Sequence, residues 1–208
     1  MRNVLTRRRV VKLSIILFCL LAVLYPLWIG VSGRYWTLGP ELLSNIFPLL
    51  GILAFTLLWL HTISGVFEPW LRKLFDFDLF VQVTSIIIFV SFVLHPFLLL
   101  IYSDFSFTKV FSYADLYYIR LGIIGFLLLI TYDIGKFLKK YDFFVRNWDT
   151  ILVVSTVGFL FTFPHSLVIG SDLQSGTLRV VWIFYGVTAI LSTIYTYGIK
   201  KFLDKNNI

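Results

Sequence analysis

The sequence predicts an all-α integral membrane protein built as a bundle of six helices. Of the 208 residues, 59% are hydrophobic and only 14% are charged, roughly half the charged fraction of an average soluble domain. The apolar residues form six runs of about 20 residues, the length needed to cross a bilayer. Because these runs occupy most of the chain, we expect a single transmembrane domain over residues 1–208.

The first three runs lie at residues 13–32, 42–66 and 79–102. The first follows a basic segment that resembles a secretion signal. It is longer than the apolar core of such a signal and no good cleavage site follows it, so we expect it to be retained as a span. The second and third are separated by the segment 67–78, which is richer in charge than its neighbours and is predicted to be a loop.

The last three runs lie at residues 116–137, 149–170 and 180–202. The segments between them carry the charged and small polar residues that are typical of short connections. No repeat of fixed period and no low-complexity stretch interrupts the chain. The six runs therefore predict one helical bundle.

The basic residues predict the orientation of this bundle. Cytoplasmic loops of membrane proteins are enriched in Lys and Arg. Six spans place 14 of the 18 basic residues on one side, and we expect that side, with both termini, to be cytoplasmic. These residues are Arg2, Arg7, Arg8, Arg9, Lys12, Arg72, Lys73, Lys136, Lys139, Lys140, Arg146, Lys200, Lys201 and Lys205. The opposite side holds Arg34, Lys109, Arg120 and Arg179.

Composition also excludes several classes of site. The single cysteine, Cys19, lies in an apolar run, so the sequence predicts neither an internal disulfide nor a cysteine-based metal centre. The net charge of +7 is explained by the positive-inside rule rather than by nucleic-acid binding. No glycine-rich nucleotide motif is present, so we expect no flavin or nicotinamide site in this chain.

All three histidines fall in apolar segments, where ionisable side chains are costly and are candidates for function. His95 and His165 each stand 16 residues after the start of a span that runs outward. At 1.5 Å per residue both lie about 24 Å along a core of about 30 Å. They are therefore level with each other in the outer leaflet, whereas His61 is predicted near the cytoplasmic face.

Two level imidazoles on parallel helices can supply both axial ligands of one haem iron. Small residues on the same helix faces leave room for a macrocycle: Ser91, Gly158 and Thr162. Two alternatives stay open. Small residues also occur where membrane helices approach closely, and a histidine pair can instead form hydrogen bonds between helices.

These residues resemble the ferric reductase-like transmembrane domain, which is shared by ferric reductases, NADPH oxidases and the haem-bearing membrane subunit of a bacterial methionine sulfoxide reductase system. The resemblance extends over about residues 45–200. The similar segments are residues 51–54, 94–96, 98–100, 120–122, 148 and 165–172.

The resemblance implies haem b between the third and fifth spans. Members of the family usually carry a second, inner pair of histidines, but Val81, Gln82 and the corresponding positions 151 and 152 are not histidine. With the inner pair missing, the resemblance implies one haem b per chain, held by His95 and His165. Among basic residues of the outer side, Arg120 is the best candidate partner for a haem propionate.

The sequence thus predicts a b-type cytochrome that passes electrons through one bis-histidine haem to ferric iron, oxygen or an extracytoplasmic partner. As the membrane electron-transfer subunit of an oxidoreductase, it would take electrons from a separate donor, either a quinol or a flavin reductase subunit. We expect a multi-pass protein of a prokaryotic inner or plasma membrane. The alternative is a haem-free membrane protein, such as a transporter-like protein or an assembly factor.

Overall fold

The computed structural model describes the backbone of residues 2–206 and the side chains of residues 7–39 and 41–203. The described chain is α-helical and contains no strand, which confirms the predicted all-α class. Six long helices follow one another. They are α1 (Arg2–Ser32), α2 (Pro40–Val66), α3 (Phe77–Tyr102), α4 (Leu116–Phe137), α5 (Trp148–Ile169) and α6 (Gly176–Ile194).

Within the described residues, these six helices are the ones long and apolar enough to cross a membrane. Their apolar parts agree with the six predicted runs to within a few residues, except at two starts. α1 is already helical at Arg2, and α6 begins at Gly176 rather than near residue 180. Hydropathy marks the lipid-facing length of a helix, whereas backbone hydrogen bonding continues into the polar flanks. The chain is a multi-pass membrane protein.

α6 changes its hydrogen bonding near its end. Residues Tyr195–Lys200 form a π-helical segment, and the α-helix then resumes over Lys201–Asn206. π-helical segments are rare and occur often at functional sites. This one brings Tyr197 close to α5, where its hydroxyl lies 3.2 Å from the hydroxyl of Thr156.

Short helical turns build the connections. They are Glu68–Leu71, Phe107–Ser112, Asp142–Arg146 and the 3₁₀ turn Ser171–Leu173. Side-chain caps begin two of the long helices: the Asp76 carboxylate accepts from the Leu79 amide before α3, and the Asp115 carboxylate accepts from the Tyr117 amide before α4.

The four central helices are arranged as two antiparallel pairs. α2 packs mainly against α3, and α4 packs mainly against α5, while α6 contacts both α2 and α5. α1 contacts α2 and is mostly exposed. α4 and α5 cross closely where Gly125 faces Gly158. Small residues permit such an approach between membrane helices.

An aromatic layer joins α6 to the central helices. The indole of Trp182 is fully buried and stacks on Phe55 at 4.4 Å between ring centroids. Trp59 stacks on Tyr185 at 4.0 Å. The Trp182 indole N–H donates to the Ser166 hydroxyl over 2.9 Å. This hydrogen bond fixes the aromatic layer to α5 at the residue next to His165.

Candidate histidine-pair site

His95 of α3 and His165 of α5 meet at one end of the bundle. Their ring centroids are 6.5 Å apart and the ring planes are nearly perpendicular, at 87°. The structure therefore brings together the two histidines that counting along the spans had placed at one depth. Both rings keep part of their surface accessible.

His95 is held by the neighbouring helix of its own pair, α2. Its Nδ1 donates to the backbone carbonyl of Phe47 over 2.6 Å. One turn further along α2 stands Gly51. A Cβ atom at that position would lie 3.0 Å from Cε1 of His95, so the absence of a side chain there leaves room for the imidazole.

His165 is held in the same manner by α4. Its Nδ1 donates to the backbone carbonyl of Tyr118 over 2.9 Å. Gly122 follows one turn later, and a Cβ atom there would lie 2.5 Å from Cε1 of His165. In both helix pairs, therefore, a carbonyl orients the imidazole and a glycine four residues further on makes space for it.

These hydrogen bonds decide which tautomer each histidine adopts. A carbonyl oxygen can only accept, so Nδ1 of His95 and Nδ1 of His165 both carry the proton. Each Nε2 is then left with its lone pair. Histidines that bind metals usually show this arrangement, with one ring nitrogen donating to a carbonyl or carboxylate and the other coordinating the metal.

The ring centroids are close enough for both imidazoles to bind one metal ion. A metal–imidazole bond is about 2.0 Å long and a ring nitrogen lies about 1.1 Å from the ring centroid, so two imidazoles on one metal ion have their centroids at most about 6.2 Å apart. The observed 6.5 Å is close to this value. His95 and His165 would therefore suit a metal that takes two histidine ligands from the protein, such as haem iron.

No family model, curated protein or solved structure matched this chain. Its function is therefore inferred from the geometry of the site. Within the described residues, no cluster of three or more His, Cys, Asp or Glu side chains could hold a bare metal ion. A haem needs only two ligands from the protein because the macrocycle supplies the other four.

The three small residues predicted to line the cofactor lie at helix contacts. A Cβ atom at Gly158 would lie 2.7 Å from Cβ of Leu128 and 2.8 Å from the Gly125 carbonyl oxygen. This close crossing accounts for Gly158 without a cofactor. Thr162 packs its methyl group against Gly125, while Ser91 is buried one turn before His95. Cofactor contacts for all three stay predictions.

Arg120 lies on the exposed side of α4. It stands two residues before Gly122, and two residues of a helix turn by about 200°, so the Arg120 side chain leaves the helix away from His165. Its contact with a propionate also stays a prediction.

Arg34 is a largely buried cation at the end of the bundle that contains the histidine pair. Its guanidinium pairs with Asp172 and also donates to the Gly30 carbonyl; the side chains of Arg34 and Asp172 are 9% and 17% exposed. Nearby, the ring of Tyr113 packs edge-on against Phe47. Burial raises the pKa of the Tyr113 hydroxyl, and the charge of Arg34 opposes that shift.

His61 lies away from the histidine pair. Its Nε2 is 2.5 Å from the hydroxyl of Thr84, and its ring packs against Phe80 at the start of α3. Trp59, two residues before His61 in the chain, is buried and stacks on Tyr185.

Sequence reasoning missed the carbonyls of Phe47 and Tyr118. Any residue carries a backbone carbonyl, so no residue type marks these positions. Gly51 and Gly122 were noticed only as parts of the resembling segments. Their role became visible once the structure set each of them against an imidazole ring.

Proposed function

We propose that this protein is a membrane b-type cytochrome of the ferric reductase-like class. One haem b would be held by His95 and His165 and would pass electrons to ferric iron, oxygen or an extracytoplasmic partner. The observation that carries the proposal is the pair of unprotonated Nε2 atoms on two imidazoles whose centroids are 6.5 Å apart.

The chain's own residues would orient and tune these ligands. The Phe47 and Tyr118 carbonyls accept from Nδ1, which keeps each lone pair on Nε2 and makes the imidazole a more basic ligand. Gly51 and Gly122 let the rings sit against α2 and α4. When bound, haem supplies one-electron chemistry, at a potential set by its axial ligands and by burial.

The chain would work as the membrane subunit of an oxidoreductase in a prokaryotic inner or plasma membrane. The excess of Lys and Arg at the opposite end of the bundle supports an outward-facing histidine pair. The donor would then act from the cytoplasmic half of the bundle. That donor would be either a quinol or a flavin reductase subunit.

A spectrum of the purified protein tests the proposal. We expect a reduced-minus-oxidised signal of b type at one haem per chain. His95→Ala and His165→Ala should each abolish it, since each removes one axial ligand. His61→Ala is the matched control because His61 lies outside the pair, and this variant should keep the signal. Purification without haem from a haem-replete host would refute the proposal.

The second candidate function is that of a haem-free membrane protein, such as a transporter-like protein or an assembly factor. One observation favours it as well, because both histidines form hydrogen bonds to neighbouring helices. These bonds use Nδ1 only. If the protein is haem-free, the variants His95→Gln and His165→Gln should retain the fold and any activity. If it binds haem, both variants should lose the b-type absorption signal.

A further inference from the structure

The other half of the four-helix core contains a cavity of about 380 Å³. Ligand pockets commonly begin at about 300 Å³. The deeper wall is apolar and includes Ile88, Phe92 and Phe159, while the end near the connection between α2 and α3 is polar. Tyr197 of the π-helical segment also lines it. His95 and His165 are not among the described residues that line this space.

The charges around the cavity disfavour an anionic ligand. Three carboxylates line it, from Glu68, Asp78 and Asp133, against one guanidinium, that of Arg72. Arg72 is already paired with Glu68 and Asp78 at 2.7–2.8 Å, and these two acids raise its pKa. A phosphate-bearing nucleotide would therefore meet a net negative surface, so a neutral molecule suits the cavity better.

Asp133 lacks the ion pair that its sequence neighbourhood suggests. Lys136 follows one turn later, but within the described residues no Lys or Arg nitrogen lies within 4 Å of the Asp133 carboxylate. The Lys136 ammonium instead lies over the ring of Tyr132, 6.0 Å from its centroid. Asp133 thus presents an acceptor to the cavity.

His61 presents a second acceptor. The Thr84 hydroxyl donates to the Phe80 carbonyl over 2.6 Å, so it accepts from Nε2 of His61. The proton of His61 is then on Nε2, and Nδ1 carries the lone pair. This tautomer is the opposite of that in His95 and His165. A carboxylate and an imidazole lone pair both call for a ligand that donates hydrogen bonds.

We infer that this cavity binds the ring of a hydroquinone, a neutral lipid-soluble diol. The aromatic body suits the apolar wall, and the two hydroxyl groups donate to acceptors such as Asp133 and His61. Neutrality suits the surplus of carboxylates. The inference rests on the proposed function for its biological meaning, since it selects a quinol over a flavin nucleotide as donor, but the binding itself needs no haem.

Binding of a short-chain probe tests the inference. Trimethylhydroquinone and its dimethyl ether have the same ring, and only the first can donate hydrogen bonds. We expect equilibrium dialysis of the full chain in nanodiscs, under anaerobic reducing conditions, to show that trimethylhydroquinone binds about tenfold more tightly than the ether, the effect of about one hydrogen bond. Equal affinities, or no binding of either probe, would overturn the inference.

Two variants locate the site. Asp133→Asn should weaken binding of trimethylhydroquinone about tenfold, because a hydrogen bond to a charged acceptor is replaced by one to a neutral amide. Asp142→Asn removes an exposed acid outside the cavity and should bind as the unmodified chain does. An unchanged affinity in Asp133→Asn would contradict the assignment of this acceptor.

The same assay separates this inference from the proposed function. His165→Ala should lose haem yet keep its affinity for trimethylhydroquinone, because His165 does not line the cavity. If the unmodified chain purifies without haem yet binds trimethylhydroquinone, the result would support the hydroquinone site and refute the proposal that the protein is a cytochrome. If the chain contains haem but binds neither probe, the result would refute the hydroquinone site and leave the proposed function standing.

Discussion

Gly122→Ala measures how closely the scaffold fits His165. The added Cβ would lie 2.5 Å from Cε1 and 3.0 Å from Cγ of the ring, well inside van der Waals contact. The ring cannot turn aside freely, because its Nδ1 is bonded to the Tyr118 carbonyl. Overpacking costs about 1–3 kcal/mol, and a lost hydrogen bond costs about 0.5–1.5 kcal/mol.

The gain in helix propensity from Gly to Ala, about 1 kcal/mol, offsets part of this cost. We therefore expect Gly122→Ala to lose about 1–3 kcal/mol of stability and to weaken haem retention about tenfold per 1.4 kcal/mol. Gly51→Ala should be milder, since its Cβ would lie 3.0 Å or more from every atom of His95, a contact that shifts of a few tenths of an ångström relieve.

Haem per chain, the reduced-minus-oxidised spectrum and thermal stability of purified variants provide the assay. Gly65→Ala is the control in α2, because among the described residues no atom beyond the adjacent helix backbone lies within 4 Å of the Cβ it would add. The expected order of severity is Gly122→Ala, then Gly51→Ala, then Gly65→Ala. Native haem content and native thermal stability in Gly122→Ala would show that the ring does not need this space.

Two further substitutions probe the packing around the site. Gly158→Ala should lower stability by about 1–3 kcal/mol, because its Cβ would lie 2.8 Å from a backbone carbonyl of α4 that cannot rotate away. Gly198→Ala should not, because no tertiary contact from the described residues lies within 4 Å of the Cβ it would add. Arg34→Gln leaves the carboxylate of Asp172 largely buried without its partner and should cost about 2–4 kcal/mol. Arg72→Gln, at an exposed ion pair, should cost less than about 1 kcal/mol, and equal losses in Arg34→Gln and Arg72→Gln would contradict the burial argument.

The number and limits of the spans followed from composition alone. Apolar runs of bilayer length predicted all six long helices, and the errors fell at the starts of α1 and α6, where helical hydrogen bonding passes into polar flanks. Counting from the span starts also placed His95 and His165 at one depth, and their rings lie 6.5 Å apart. Depth along a helix is readable because the rise per residue is constant.

Contacts across the bundle were harder to predict. Gly158 was predicted to line a cofactor, and the structure adds a contact that the sequence did not mark: its backbone lies against Gly125 where α4 and α5 cross. Lys136 stands one helical turn after Asp133, within reach of an ion pair, yet it lies over Tyr132. In each case several partners stand within reach on a helix surface, and the neighbouring helix selects among them.

The sequence by itself determined the all-α membrane class, the six spans and the level of each histidine, because hydropathy and a fixed rise per residue act along one helix at a time. Only the tertiary structure decided that two imidazoles face each other, that Phe47 and Tyr118 fix their tautomer, and that His61 lines a separate cavity. When a helix is apolar on all sides, its sequence does not indicate which face it turns toward the rest of the bundle. That rotation is set by packing against neighbouring helices.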